Sequence, residues 1–433
     1  MQPSKPVPAA KVMHTHTAVS GRDIALLVAL LAATTILSQF FRAALAVIAP
    51  ELIHDLALSP EMLGLANGGF FAALLVAQVA VGVALDRAGP RRTVGVLSIL
   101  MTAGAALHAI ADDGPALVAA RVVTGIGCAA SFMSAIVLIS AWMPEKRWST
   151  GLSWVFGSSQ IGILLAGAPL AIAAETIGWR TSFLVMSFVS AVAGAVFFVF
   201  VRDRPPVPLT SAKAAAVAHP SALDGLRQIL AIPGILPVFA LFSVAYAAVA
   251  TISGLWAGPY LKDMYGLDAG ARGLVLTIMA AIQLAGVLAA GPLDRLFNTR
   301  KWLVVAGASG TLLILVALAV LETPPFWLAL SLLFGMSATN TYNPLLLAHM
   351  RGHFPHHLAG RGSTTGNIAQ LAGAAALPVL TGFVPGLVGS TSDGYAAGAY
   401  RLIFATLAFA LAVGLAIYVR GSHDIRPGGR AVP

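Results

Sequence analysis

Apolar runs of about 20 residues, the length that crosses the hydrocarbon core of a bilayer, recur along this chain with short polar stretches between them. Twelve segments are predicted as spanning helices: 24–49, 61–84, 93–111, 115–143, 149–174, 180–201, 233–261, 271–293, 302–321, 325–349, 362–386 and 398–419. Glycine and proline interrupt several of them, which spanning helices tolerate better than soluble ones. The longest interior polar stretch, Arg202 to Ile232, sets Pro205, Pro206, Pro208 and Pro220 around an alanine-rich patch. It splits the pattern into two halves. The predicted fold is therefore an all-α membrane protein of twelve transmembrane helices in two pseudo-symmetric six-helix bundles. Its parts are a cytoplasmic tail at 1–22, a first bundle at 23–201, a cytoplasmic linker at 202–232, a second bundle at 233–420 and a cytoplasmic tail at 421–433.

The polar positions give the orientation. Of 26 Lys and Arg residues, 20 fall in the tails, the linker and the loops of one side, including Arg87, Arg91, Arg92, Arg295, Arg300 and Lys301. The opposite loops hold only Arg180, Lys262, Arg272 and Arg401, and Arg42 and Arg121 lie inside helices. Basic loops stay on the cytoplasmic side, so both termini are expected there, in a multi-pass protein of the bacterial inner membrane. Composition agrees: 58% of residues are hydrophobic and 10% charged, against roughly a quarter charged in soluble domains. The net charge of +9 is scattered over short loops, which argues against nucleic acid. A single cysteine, Cys128, leaves no intrachain disulfide and no cysteine-based metal site. The polar stretch before Arg22 lacks the apolar core of a signal peptide.

Two loop patterns repeat between the halves. Gly82-Val-Ala-Leu-Asp86-Arg87-Ala-Gly89-Pro-Arg91-Arg92 joins segments two and three, and Gly291-Pro-Leu-Asp294-Arg295, followed by Arg300 and Lys301, joins segments eight and nine. Gly178-Trp179-Arg180 opens segment six as Ala399-Tyr400-Arg401 opens segment twelve. The first pattern resembles the loop signature of the major facilitator superfamily, and Arg121-Val-Val-Thr-Gly125-Ile-Gly127 resembles that superfamily's pattern in its fourth helix. The resemblance implies two lobes that rock around a central site between them. It also implies a cytoplasmic gate held by Gly82, Asp86, Arg87, Gly89 and Arg91, with a degenerate copy at Asp294 and Arg295. Segment five lacks the Gly-Pro pair typical of drug/proton antiporters.

The candidate chemistry lies in two arginines. No Asp or Glu sits deep in any segment, yet Arg42 and Arg121 lie roughly 12 and 9 Å inside the outer end at about 1.5 Å per residue. An unpaired Arg in hydrocarbon costs at least a few kcal/mol, so each needs a wet cavity, backbone carbonyls or an anionic ligand. A guanidinium binds carboxylate through two parallel hydrogen bonds. Phe40-Phe41-Arg42-Ala-Ala-Leu45 with Pro50 beyond it looks like the first-helix pattern of organic anion carriers. The anion:cation symporters among them carry Arg at the positions of both Arg42 and Arg121. Their proton-coupled sugar-acid members have acids where this chain has Phe41 and Cys128. In the superfamily fold, helices one, four, seven and ten line the cavity, which would set the two arginines face to face across it.

Ser38, Gln39, Gln160, Tyr246, Asn340 and Thr341 are the polar residues expected to complete a substrate site with Arg42 and Arg121. His349, His353, His356 and His357 match no metal motif and are expected in a solvated loop; His108 is expected at the membrane interface. The expectation is a carrier, not an enzyme, with no cofactor and no metal. Its substrate would be a small anionic solute, an organic carboxylate above all, moved by alternating access by a monomer in the bilayer, with a proton or a counter-anion as coupling partner. The alternative is an exporter of drug-like or uncharged amphipathic solutes, with Arg42 as a brace.

Overall fold

A computed structural model describes residues 21–144, 147–204, 227–355, 358–388, 390–391 and 394–425; the side chains at 149, 290–295, 359–361, 390–391 and 394 are not among those described. Among the described residues, eleven helices are long and apolar enough to cross a membrane. The first three spans are α1 (Gly21–Asp55), α2 (Pro60–Ala88) and α3 (Pro90–Ile110). The fourth is α4 (Gly114–Cys128) continued by α5 (Ser131–Trp142), and the fifth is α6 (Trp148–Leu165) continued by α7 (Ala168–Ile177). The sixth is α8 (Trp179–Phe200). The seventh runs as α9 (Ile235–Thr251), a π turn at Ile252–Trp256 and α10 (Ala257–Tyr265). The eighth and ninth are α11 (Ala269–Phe297) and α12 (Lys301–Val320). A twelfth crossing comes tenth in the chain, as α13 (Phe326–Thr339), a 3-10 turn at Asn340–Tyr342 and α14 (Asn343–Gly352). Then follow α15 (Ala359–Phe383) and α16 (Ala397–Gly421). A two-residue strand pair, Ser390↔Tyr395 and Thr391↔Gly394, precedes α16.

The segments predicted from the apolar runs all appear. α1 outlasts its predicted end and carries Pro50 inside it. What the runs did not predict is the breaks: four spans change helix type or axis partway, and spanning helices do so only where neighbours or a cavity satisfy the freed backbone groups.

The two halves repeat the same devices. Arg180, at the start of α8, donates to the Ala109 and Ala111 carbonyls at the end of α3 (3.0 and 2.6 Å). Arg401, at the start of α16, donates to the Ala319 carbonyl at the end of α12 (2.9 Å). At the opposite ends of the same pairs, Asp203 accepts from the Arg91 N–H (2.7 Å) and Asp424 accepts from the Lys301 N–H (2.9 Å). A cation thus satisfies the last carbonyls of the third helix of each half, and a carboxylate its first N–H groups, as the helix dipole favours. The repeated Trp-Arg and Tyr-Arg dipeptides are the sequence trace of this arrangement.

Contacts between the halves are closest at the end of the bundle opposite the basic loops, here the far face, and continue along α2 and α15 as far as the bond from Asn367 Nδ2 to Gln78 Oε1 (3.0 Å). A Cβ at Gly258 of α10 would overlap the Ala46 carbonyl of α1. One at Gly64 of α2 would stand 2.5 Å from the Pro378 carbonyl of α15. Glycine lets these backbones touch, as in close membrane helix pairs. Arg272 of α11, 2% exposed, forms an ion pair with Glu51 of α1. The Gly270 N–H donates to Glu175 of α7 (3.0 Å). At the basic face, Asp86 and Arg87 are exposed and make no hydrogen bond or ion pair among the described residues.

Candidate functional site

A cavity lies between the halves near mid-depth. It is lined by Gln39, Arg42, Ala43 and Val47 of α1, Phe71 of α2, and Ile163, Ala166 and Gly167 around the break of the fifth span. Tyr246, Ala250, Ser253 and Gly254 come from the seventh span, Leu276, Ala280 and Gln283 from α11, and Asn340 from the tenth. Three of the breaks open onto it: Ala166–Gly167, the π turn and the 3-10 turn. Irregular backbone at membrane depth is tolerated where it faces a cavity, and π turns often mark functional sites.

Arg42 is the one ionised side chain among the described residues lining this cavity. It is half-buried, and among the described residues its buried Nε has no hydrogen-bond partner and no ion pair reaches it. Its guanidinium stands 5.4 Å from the Phe132 ring centroid and 6.0 Å from that of Phe71. Aromatic faces soften a cation's burial but do not replace an anion. The site is therefore electropositive and unsatisfied.

Arg121 has a different setting. It is 1% exposed, stacks on Phe70 at 4.5 Å, and donates to the Phe41 carbonyl (2.6 Å), Asn67 Oδ1 (3.3 Å) and the Ala66 carbonyl (3.4 Å). It ties α4 to α1 and α2 behind the cavity wall. The fourth span does not line the cavity, so the two arginines do not face one another across it. Arg121 is a positioning residue for α1, holding the backbone of Phe41 next to Arg42.

The remaining candidates divide as well. Gln39 lines the cavity and donates through Nε2 to Gln160 Oε1 (3.3 Å), which couples span five to span one. Tyr246 and Asn340 line the cavity, and Asn340 Oδ1 accepts from Asn343 (2.5 Å). Ser38 is fully buried beside Cys128, behind the lining. Thr341 packs against Gly286 of α11, where a Cβ would overlap it, so it too stays out of the cavity. Ser253, Gln283 and Phe71 are lining residues that the polar count along the sequence ranked no higher than their neighbours; the π turn that turns Ser253 inward has no sequence signal.

Among the expected gate residues, Gly89 sits at φ +80°, with Asp203 where its Cβ would be. Arg91 donates from Nε to the Phe198 carbonyl (2.6 Å) and stacks on that ring at 4.7 Å. It braces α3 against α8 within one half and does not reach the other half. Gly82 faces Met133 with room to spare. The side chains of Asp294 and Arg295 lie outside the described residues. The histidine loop is corrected in part. His349 is fully buried, with Nε2 on the His423 carbonyl and Nδ1 on the Tyr418 hydroxyl (2.8 Å each). His353 is 6% exposed and bonds the His349 carbonyl through Nδ1 (3.0 Å). A donor and an acceptor on opposite ring nitrogens suit a neutral imidazole, and these two pack α14 against α16; His356 and His357 lie outside the described residues. His108, two residues from the end of α3, is 1% exposed and stacks on Phe183 at 3.9 Å, so its ring packs inside the first half.

The sequence model of the Major Facilitator Superfamily matches residues 31–378. The chain belongs to the Major Facilitator Superfamily. A hexuronate transporter of Bacillus subtilis (strain 168) is 23% identical over a stretch covering 59% of this chain and 61% of that one. An L-galactonate transporter of Escherichia coli (strain K12), described as probable, is 24% identical, covering 63% and 60%. An efflux pump of Mycolicibacterium smegmatis is 28% identical, covering 63% of each chain. These matches span less than two thirds of the relatives' own lengths. Among solved structures, a bacterial homologue of the human lysosomal transporter Spinster, inward-facing and occupied, superposes with a TM-score of 0.78 at 17% identity, covering 92% of this chain and 97% of that one. Within this superfamily fold the described residues bring the two halves closest together at the far face, and none of them engages Asp86.

Proposed function

We propose that this superfamily member carries a small organic carboxylate across the cytoplasmic membrane by alternating access, with its basic loops in the cytoplasm. The observation that carries the reading is Arg42: a guanidinium without an anionic partner, placed between the lobes where both can close on it. A carboxylate bound there would supply two charge-assisted hydrogen bonds and remove the cost of an unpaired charge. Gln39, Tyr246, Ser253, Gln283 and Asn340 would then receive hydroxyls or a second polar group. The names of the relatives support this chemistry, since hexuronates and galactonate are polyhydroxylated carboxylates. Arg121 keeps α1 in place, and the Glu51–Arg272 pair closes the far face.

The test is a thermal-shift screen of the purified protein against D-galacturonate, D-gluconate, L-tartrate, inorganic anions and neutral sugars. The expected result is stabilisation by one carboxylate class that disappears in Arg42→Ala. The efflux-pump relative favours a second reading, in which Phe71, Val47 and Leu276 hold an amphipathic solute. Stabilisation by neutral or cationic amphipaths alone, unchanged in Arg42→Ala, would select that reading and reject the first.

A further inference from the structure

Arg42 raises a question of coupling that substrate binding leaves open. To return empty, a carrier must pass through a state with both faces closed and bulk water excluded. In that state the cavity holds one guanidinium and, among the described lining residues, no carboxylate or imidazole to balance it. The aromatic neighbours Phe71 and Phe132 cannot neutralise it. In α4, Cys128 lies beside Ser38 and within the field of Arg42, but it carries a thiol and not a carboxylate. Two acids of the far face, Glu51 and Glu175, are engaged elsewhere, with Arg272 and with the Gly270 N–H. Arg121 adds positive charge in the same lobe and has only neutral partners.

We propose that the carrier is an anion exchanger: a bound carboxylate supplies the charge that lets the lobes close, so the protein reorients loaded in both directions and scarcely at all empty. The inference rests on the reading of Arg42 as the anion contact. The counter-substrate is a second small carboxylate that the same site accepts, and charge balances as one anion moving each way with no proton required.

Two measurements test it. In proteoliposomes, labelled D-galacturonate should enter vesicles preloaded with unlabelled D-galacturonate about tenfold or more faster than anion-free vesicles, the scale set by an uncompensated guanidinium in hydrocarbon. An inside-alkaline pH gradient should leave the slow rate in anion-free vesicles unchanged. Equal rates, or accumulation driven by the pH gradient, would overturn exchange. The second measurement needs no substrate. Single-molecule FRET across the far face, between Ala57→Cys and Thr323→Cys in a Cys128→Ser background, reads ligand-free reorientation. Arg42→Met should raise its rate about tenfold or more, and Arg42→Lys should not. Replacing Cys128→Ser by Cys128→Asp in the same pair should also raise it, by placing an acid near Arg42; if that protein fails to fold, Arg42→Met decides alone. Wild type that binds D-galacturonate yet reorients as fast empty as loaded overturns exchange only. Thermal protection by none of the carboxylates in wild type overturns the anion site and exchange with it.

Discussion

Truncating Arg121 to alanine would leave Asn67 Oδ1 without this donor, strip a second hydrogen bond from the helical Phe41 and Ala66 carbonyls, and open a cavity inside the first lobe. A buried acceptor left without a donor costs about 1–3 kcal/mol, so Arg121→Ala is expected to unfold at a markedly lower temperature in detergent. Arg121→Lys should recover little, because one ammonium cannot span three acceptors in a fixed fork. Arg42→Ala, which removes a group that satisfies nothing, should leave the ligand-free midpoint unchanged or raise it. Equal losses in the two alanine variants would contradict the division of roles argued for them. The placement of both arginines inside helices was legible from the apolar runs around them, although Pro50 marks no helix end, since α1 runs on to Asp55. The environments of the two arginines were not, because the partners of Arg121 lie 80, 55 and 54 residues away in sequence, and two of them are carbonyls that every residue type carries. The unpaired state of Arg42 was legible, since no acid lies within any apolar run. Buried His349 and His353 were misjudged because α14 and α16 close over a stretch whose composition reads as a loop.

At the scale of elements, the carboxylates of Asp203 and Asp424 act as caps supplied from outside the helices they cap. Asp424 accepts from the Lys301 and Arg300 N–H groups and from the Thr299 hydroxyl. Partial burial pushes its carboxyl upward, but the hydrogen bonds from Lys301, Thr299 and Arg300 outweigh that and hold it below the ordinary carboxylate range. A depressed folded-state pKa means the cap contributes fully above the unfolded value, about 3.9, and is lost as pH falls through the folded one. Asp424→Asn should therefore cost about 1 kcal/mol at neutral pH, the usual worth of a cap. The difference from wild type should shrink below about pH 4, in thermal scans over a pH series. A constant difference down to pH 3 would mean that the side chain matters for packing and not as a charged cap. The apolar runs and the repeated aromatic-Arg dipeptides made the pairing of α3 with α8 and of α12 with α16 partly legible. The two acids were not, because each follows the end of a span, in stretches that read as linker and tail. Nor were the breaks at Ala166–Gly167, Ile252–Trp256 and Asn340–Tyr342: single Gly, Ser and Asn residues occur throughout the spans, and only packing decides which of them interrupts a helix.

For the whole molecule, the decisive contact is the one between lobes at the far face. Arg272 read as a topology marker in a loop, since Glu51 is 221 residues away; folding makes it a buried cation matched by one carboxylate of the other lobe. A buried pair contributes little net stability, but removing one partner leaves the other charge stranded, at a cost of about 3–5 kcal/mol. The stranding is asymmetric here, because the Arg272 side chain is 2% exposed and that of Glu51 29%. Glu51→Gln should strand Arg272 and drive the population toward a far-face-open state, where the guanidinium regains water. Arg272→Met should do so less, because Glu51 already reaches solvent. The double variant should lie near Arg272→Met, since no buried cation remains to be stranded. Val47 lines the cavity and is 2% exposed, so Val47→Cys in a Cys128→Ser background reports opening through a membrane-impermeant maleimide added from outside. Labelling about tenfold or more faster in Glu51→Gln than in its parent is the expected scale, and Gly258→Leu, which wedges α10 away from the Ala46 carbonyl, should raise it by a steric route. Labelling in Glu51→Gln no faster than in its parent, with Gly258→Leu still fast, would show that backbone contact and not the ion pair holds this face shut. The pair would then serve to select the register in which the lobes meet, and the energy of closure would come from the glycine-mediated contacts alone.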